Sequence, residues 1–320
     1  MSEPKAPPTA PVPPLSVVIV NWNSKADLEA CLASLEAQTL PGIEVIVVDN
    51  GSADGSVGMV RERFPAFTLL AERDNLGFAE GCNRGIAVSH APWVAMLNND
   101  AVAEPEWAER LMRAAKDVPS ECGMLQALML FMGRDGVINS TGIELTVNGA
   151  RDRHEGRKRP ERLDLEEIFC PTAGAAAYRR TMLDQIRLPA GWFDPAHFMY
   201  FEDLDLGWRA RLAGWTAMHV PGAVVHHRYH GSSDRRDRTW LDKLVRANHF
   251  RTVLKNASWR FLIATAHHTA RNLGHLILLA RADAPRIVGG ALVSSLRSRR
   301  TVSSMASASR RATEKRWTVG

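Results

Sequence analysis

Residues 15–24, LSVVIVNWNS, and residues 43–52, IEVIVVDNGS, decide the architecture. Each opens on an apolar, β-branched run, the composition of a strand buried on both faces, and breaks at a polar turn. Between them Leu28, Cys31, Leu32 and Leu35 recur at helical spacing, so the first unit reads strand, helix, strand. A short helix over 56–64 and strands over 67–70 and 93–97 follow. Such alternation predicts α/β: a parallel sheet with helices on both faces. Turn signals at Gly133, Gly136 and Gly142 within 123–147 predict a mixed, partly antiparallel second half, and 151–162 reads as a polar, charged loop. Helical spacing resumes over 203–212 and stops at Gly214, suited to a left-handed cap. A short strand follows over 220–227. Beyond 234, Trp240, Leu244, Ala247, Phe250 and Leu254 recur at three- and four-residue steps among Lys and Arg, an amphipathic helix.

The 320 residues, 45% hydrophobic and 23% charged, suit one large domain with an appendage and exclude wholesale disorder, collagen and coiled coil. The four cysteines lie far apart with no CxxC pair, which speaks against a zinc ribbon or a disulfide scaffold and for a reducing, cytosolic setting. Charge is divided unevenly. Residues 234–320 hold 18 Lys+Arg against 5 Asp+Glu, a balance of +13, while residues 1–233 hold 22 against 30, a balance of −8. A basic extension on an acidic body points to an anionic partner, with a solvated helical face as the plain alternative. Residues 1–14, with six prolines and no apolar core, read as a flexible tail and not a targeting segment. The most apolar late stretch, 259–279, is interrupted by Arg260, His267, His268, Arg271 and His275, so it is no membrane span.

Ligands of open α/β sheets bind beyond the carboxyl ends of the strands, which directs attention to the residues there. After the first strand stands Asn21-Trp22-Asn23-Ser24, which excludes a glycine-rich dinucleotide turn and a P-loop. After the second stands Asp49, able to accept an imide N–H of a base or a ribose hydroxyl, or simply to cap a helix. Glycines every four residues in NLGFAEGCNRG, 75–85, imply a close approach to that backbone, by ligand or by tight helix packing. Asp100 closes LNND, 97–100, where a carboxylate can reach a divalent metal. Glu202, Asp203 and Asp205 crowd a helix start, where acids serve as caps or as a general base. His226, His227 and His230 stand at a strand end and can complete a metal site.

In this order and spacing, with PTAGAAAYRR at 171–180 and FDPAHFMYFEDLDLGWRARLAGW at 193–215, these motifs resemble the inverting glycosyltransferases of family 2, in their rhamnosyltransferase-like branch. The resemblance implies a GT-A (Rossmann-like) fold over 15–233, followed by a basic helical extension over 234–300 and a disordered tail over 301–320. It makes Asp49 the base-recognising acid and sets Asn21, Asn23 and Ser52 near the nucleoside. Asn75, Gly77, Asn83 and Asn99 line the donor pocket, and Gly174, with Thr172 and Ala175, forms the wall where sugar and acceptor meet. Asp100 is the acid of the DxD element, which is reduced here to Asn98-Asn99-Asp100. His226 or His227 is the further metal or diphosphate contact, Asp203 the catalytic base and Glu202 its neighbour near the acceptor.

The implied reaction is transfer of a sugar from dTDP-rhamnose or a UDP-sugar to a glycan or lipid-linked acceptor in cell-surface polysaccharide synthesis, with Mg²⁺ or Mn²⁺. The basic helices would dock on the inner face of the cell membrane. The rival reading is a non-catalytic nucleotide-sugar or glycan-binding scaffold, made conceivable by the reduced DxD element and opposed by the presence of Glu202 and Asp203. Nucleic acid is not expected as a partner, because the basic tail lacks interleaved aromatics for stacking.

Overall fold

A computed structural model describes residues 12–146, 149–228 and 237–319. The Pro-rich segment up to residue 11, His230 and the boundary expected at 233 lie outside the described residues. The first half runs β1 (Ser16–Asn21), α1 (Lys25–Glu36), β2 (Glu44–Asp49), α2 (Ser56–Arg63), β3 (Thr68–Ala71), α3 (Phe78–Val88), β4 (Trp93–Leu97), β5 (Ala101–Ala103) and α4 (Trp107–Asp117). The second half runs β6 (Cys122–Phe131), β7 (Ile138–Ser140), β8 (Ile143–Thr146), β9 (Gly149–Asp152), β10 (Glu166–Ile168), β11 (Ala175–Arg179), α5 (Arg180–Gln185), α6 (Glu202–Leu212) and β12 (Thr216–His227). Then come α7 (Arg238–Asn256), α8 (Trp259–Ala264), α9 (Ala266–Ala280), α10 (Ala284–Met305), α11 (Arg310–Trp317) and β13 (Thr318–Val319).

The main sheet has the order β10-β12-β6-β11-β4-β1-β2-β3. β3, β2, β1 and β4 are mutually parallel, β11 is antiparallel to both β4 and β6, and β12 is parallel to β6. Period-two alternation sends β1 into two cores. Val18 packs with Cys82 and Ile86 of α3, while Val17 and Ile19 pack with Leu28, Leu32 and Leu35 of α1. The glycine spacing of α3 is explained by this packing and not by a ligand. A Cβ on Gly81 would lie 2.6 Å from Val20 Cγ1, and one on Gly85 2.2 Å from Val18 Cγ1.

Three expectations are corrected. The strand expected at 220–227 begins at Thr216 and absorbs Pro221 and Gly222 in a register shift between Val220 and Val224. The supposed loop at 151–162 starts inside β9, which pairs with β8 and carries Asp152. Residues 301–320, expected to be disordered, are helical to Met305 and again over α11, and β13 pairs in parallel with β8. The tail is held because Trp317 packs 6.1 Å from Phe169, the Arg211 guanidinium lies 4.4 Å from its ring, and Ser309 caps α11 by accepting from the Ala312 amide.

Candidate active site

A cavity of about 440 Å³ opens beyond the carboxyl ends of β1 and β4. The turns after three strands are tied together behind it. Asn21 Nδ2 donates to Asp49 Oδ2 at 2.9 Å, the Ser52 amide donates to Asp49 Oδ1 at 2.8 Å, and Asn99 Nδ2 donates to Asn21 Oδ1 at 2.8 Å. The Asn23 amide joins through Ser52 Oγ at 2.8 Å. Asn21 and Asn99 reach the cavity wall, whereas Asp49, Asn23 and Ser52 stand behind it. Asp49 is 1% exposed and braces the wall through Asn21 and the Ser52 amide.

Asn75 and Gly77 do line the cavity. Asn75 Oδ1 accepts from the Gly77 amide at 2.9 Å, and Gly77, at φ +87°, begins α3 where a Cβ would meet the Phe198 carbonyl oxygen at 2.6 Å. Asn83 is a correction. Its Oδ1 accepts from the Trp192 and Phe193 amides at 3.0 and 2.9 Å and its Nδ2 donates to the Phe193 carbonyl at 2.9 Å, so it clamps α3 to 192–193, away from the cavity. Gly174 and Thr172 line the cavity together with Ala173, whereas Ala175 does not.

Asp100 and His227 face each other there. Asp100 Oδ1 and His227 Nε2 are 3.0 Å apart, both residues are buried, and Asn98 Nδ2 lies 3.1 Å from the same ring nitrogen. Strand parity separates the two histidines that the sequence left open. His226 points to the other side of β12 and pairs with exposed Glu104 at 3.1 Å, so it is removed from the candidate ligands. His227 Nδ1 is 2.8 Å from Asn139 Oδ1, a contact that fixes the orientation of the ring. A carboxylate oxygen and an imidazole nitrogen are donors suited to Mg²⁺ or Mn²⁺, so the residues fit a divalent cation.

The start of α6 brings Glu202 and Asp203 to the same cavity. Asp203 Oδ1 accepts from the Leu204 amide at 2.7 Å and Oδ2 from the Ala173 amide at 3.2 Å. Burial nevertheless outweighs these bonds and raises the Asp203 carboxyl. Glu202 is raised well above the usual range, first by burial and then by the charge of Asp203. Its Oε2 has no hydrogen-bond partner among the described residues. A fourth cavity acid, Asp152, was missed from the sequence because it fell in a stretch read as loop; burial pushes its carboxyl up to about 6, with Asp203 adding to the effect.

Asp194, His197 and Asp205 form a second buried group with ligand atoms within 4.8 Å of one another. The protein supplies its own cation there. Lys255 Nζ contacts Asp194 Oδ2 and lies 3.0 Å from Asp205 Oδ1, and Arg209 Nε is 3.0 Å from Asp205 Oδ2. Burial opposes ionisation of Asp205, but Lys255 and then Arg209 more than offset it and hold the carboxyl far below its usual range. These charges are balanced without a metal.

The sequence profile described as glycosyl transferase family 2 matches residues 16–187. The N-acetylglucosaminyl-diphospho-decaprenol L-rhamnosyltransferase of Mycobacterium tuberculosis is 31% identical over 241 residues, covering 68% of this chain and 77% of that protein. A putative glycosyltransferase of Bacillus subtilis, EpsH, is 23% identical and covers 69% of this chain and 62% of its own length. Among solved structures, the mannosyltransferase PcManGT from Pyrobaculum calidifontis, in complex with GDP-Man and Mn²⁺, superposes with a TM-score of 0.54 at 19% identity, covering 92% of this chain and 84% of that one, a likeness of fold.

Proposed function

This chain belongs to glycosyl transferase family 2, and on that premise we propose that it moves a deoxysugar from a nucleotide-diphosphate donor to a hydroxyl of a lipid-linked glycan, inverting the anomeric carbon. The chain is a glycosyltransferase with the GT-A fold, a mixed, mostly parallel sheet flanked by helices. One observation carries the reading: a single cavity is lined by Asp203 and by the Asp100–His227 pair. The relative's L-rhamnosyl transfer to N-acetylglucosaminyl-diphospho-decaprenol favours dTDP-rhamnose as donor and a polyprenyl-diphosphate sugar as acceptor, with UDP-sugars next in line.

Asp203, its carboxyl raised by burial, takes the proton from the acceptor hydroxyl, which attacks from the face opposite the leaving diphosphate. Glu202, raised by burial and then by the charge of Asp203, stands beside it on the acceptor side. Asp100 and His227 would hold Mg²⁺ or Mn²⁺, which supplies Lewis-acid stabilisation of charge on the diphosphate. Asn98, in place of the first DxD carboxylate, orients His227. Asp49 acts through Asn21 and Asn99 by fixing the wall on which the nucleoside rests.

A lipid-linked acceptor favours a reaction at a membrane surface. Trp259, Ile263 and Leu278 are 60%, 75% and 72% exposed on α8 and α9, among the arginines of the basic extension. No helix among the described residues is long and apolar enough to cross a membrane.

Calorimetry with UDP, dTDP, GDP and CDP, with and without Mn²⁺, tests the reading. Metal-dependent binding of dTDP or UDP that Asp100→Ala weakens is expected, and binding of none of the four overturns it. Asp203→Asn lowers transfer by about 10²–10⁴-fold with nucleotide binding intact.

A further inference from the structure

The segment that delivers Asp203 to the cavity has an unusual backbone. Phe198, Tyr200 and Phe201 lie at φ +61°, +67° and +69°, three non-glycine residues in the left-handed region within four positions, directly before Glu202 and Asp203. Such conformations persist only where the surroundings over-determine them. Here the surroundings are α7. Asn248, 0% exposed, directs Nδ2 at three carbonyls of this segment: His197 at 2.6 Å, Met199 at 2.9 Å and Tyr200 at 2.9 Å. The amide cannot be turned over, because Asn248 Oδ1 accepts from Arg251 Nη1 at 2.8 Å. Further along the same helix face, Thr252 Oγ1 meets His197 Nε2 at 2.9 Å, and Lys255 and Asn256 bind Asp205 in the first turn of α6.

We infer that Asn248 is a positioning residue for the transfer reaction: by gathering three carbonyls of 197–200 it fixes the left-handed turn that aims Asp203 into the cavity. The inference rests on Asp203 being the base. It extends the active site into α7, beyond the residues 16–187 that the family profile matches. A residue that served only folding would change the amount of folded protein; a positioning residue changes the turnover of each folded molecule.

The test uses the full chain with Asn248→Asp, which keeps the shape but turns oxygens toward the three carbonyls, and Arg251→Met, which leaves the amide in place and frees its rotation. Hydrogen exchange should speed up over 197–205 while β1, β2 and β4 stay protected. Turnover per folded molecule should fall about 10²-fold in Asn248→Asp and less in Arg251→Met, because a small misplacement of a reacting group costs about that much. Calorimetric binding of dTDP or UDP with Mn²⁺ should be unchanged, and the acid limb of the kcat–pH profile should move. Unaltered exchange over 197–205 in a folded variant overturns the inference whether or not transfer is observed, and so does wild-type turnover with a wild-type pH profile. If Asn248→Asp does not fold, Arg251→Met decides by the same readouts. Failure of the base assignment is separate: it shows as Asp203→Asn retaining normal turnover.

Discussion

His226 and His227 are neighbours in sequence and end on opposite sides of β12, one against exposed Glu104 and the other against Asp100. His227→Ala should therefore weaken Mn²⁺-dependent nucleotide binding at least tenfold, as loss of metal-site residues does, while His226→Ala leaves it unchanged; calorimetry separates the two. Asp152 provides a prediction in pH. Its folded-state value of about 6 stands above the roughly 3.9 of an unfolded Asp, so the folded state binds more protons between those values. The contribution to stability is present below about pH 4 and is lost as pH rises through about 6. In EDTA, Asp152→Asn should melt about 2 °C or more above wild type at about pH 8 and level with it at about pH 4. Asn21, Asn99, Asp100 and Asp203 were legible because strand and helix ends are where such sheets bind ligands. Asp152 was not, since its place on the cavity wall depends on the β8–β9 hairpin closing over the sheet, and no local pattern announces that.

Between elements α3 sits tightly on β1, where Gly85 leaves no room for a methyl group beside Val18. Gly85→Ala should cost about 1–3 kcal/mol by overpacking, and in a Val18→Ala background the same change should be close to neutral. Urea denaturation of the four proteins measures the coupling. The spacing of these glycines was visible in the sequence, but whether a ligand or a strand came close required the sheet. α7 shows a deeper limit. Its apolar repeat was legible, yet the buried side also carries Asn248, Thr252, Lys255 and Asn256, polar residues that sequence assigns to solvent. They are inside because α6 and the turn before it offer carboxylates and carbonyls that need partners. Lys255→Met would strand Asp194 and Asp205 without their shared cation, at about 3–5 kcal/mol. An unchanged urea midpoint would count against that electrostatic account.

At the scale of the molecule, the charge split seen in the sequence is partly consumed by folding. Of the cations beyond residue 234, Lys255 is buried between carboxylates, Arg299 donates to the Leu254 and Ala257 carbonyls, Arg310 donates to the Asn256 carbonyl, and Arg316 pairs with Glu167. Arg260, Arg271, Arg281, Arg286, Arg297 and Arg300 remain exposed on and between α8 and α10, alongside exposed Trp259, Ile263, Leu278 and Val293. Cations and large apolar side chains together suit an anionic bilayer surface, where each arginine contributes about 1 kcal/mol and the apolar groups enter the interface. Flotation should therefore recover the protein with vesicles containing phosphatidylglycerol and leave it behind with pure phosphatidylcholine. About 0.5 M salt should release it, since the attraction is screened within a Debye length. Replacing Arg260, Arg271 and Arg286 with Gln should weaken binding roughly 10²-fold, three increments of about 1 kcal/mol. Trp259→Ser with Leu278→Ser should weaken it at every salt concentration, because apolar insertion is not screened. Equal flotation on neutral and anionic vesicles would assign the surface to apolar contact alone, and no flotation on either would remove the membrane from the account of how the acceptor is reached.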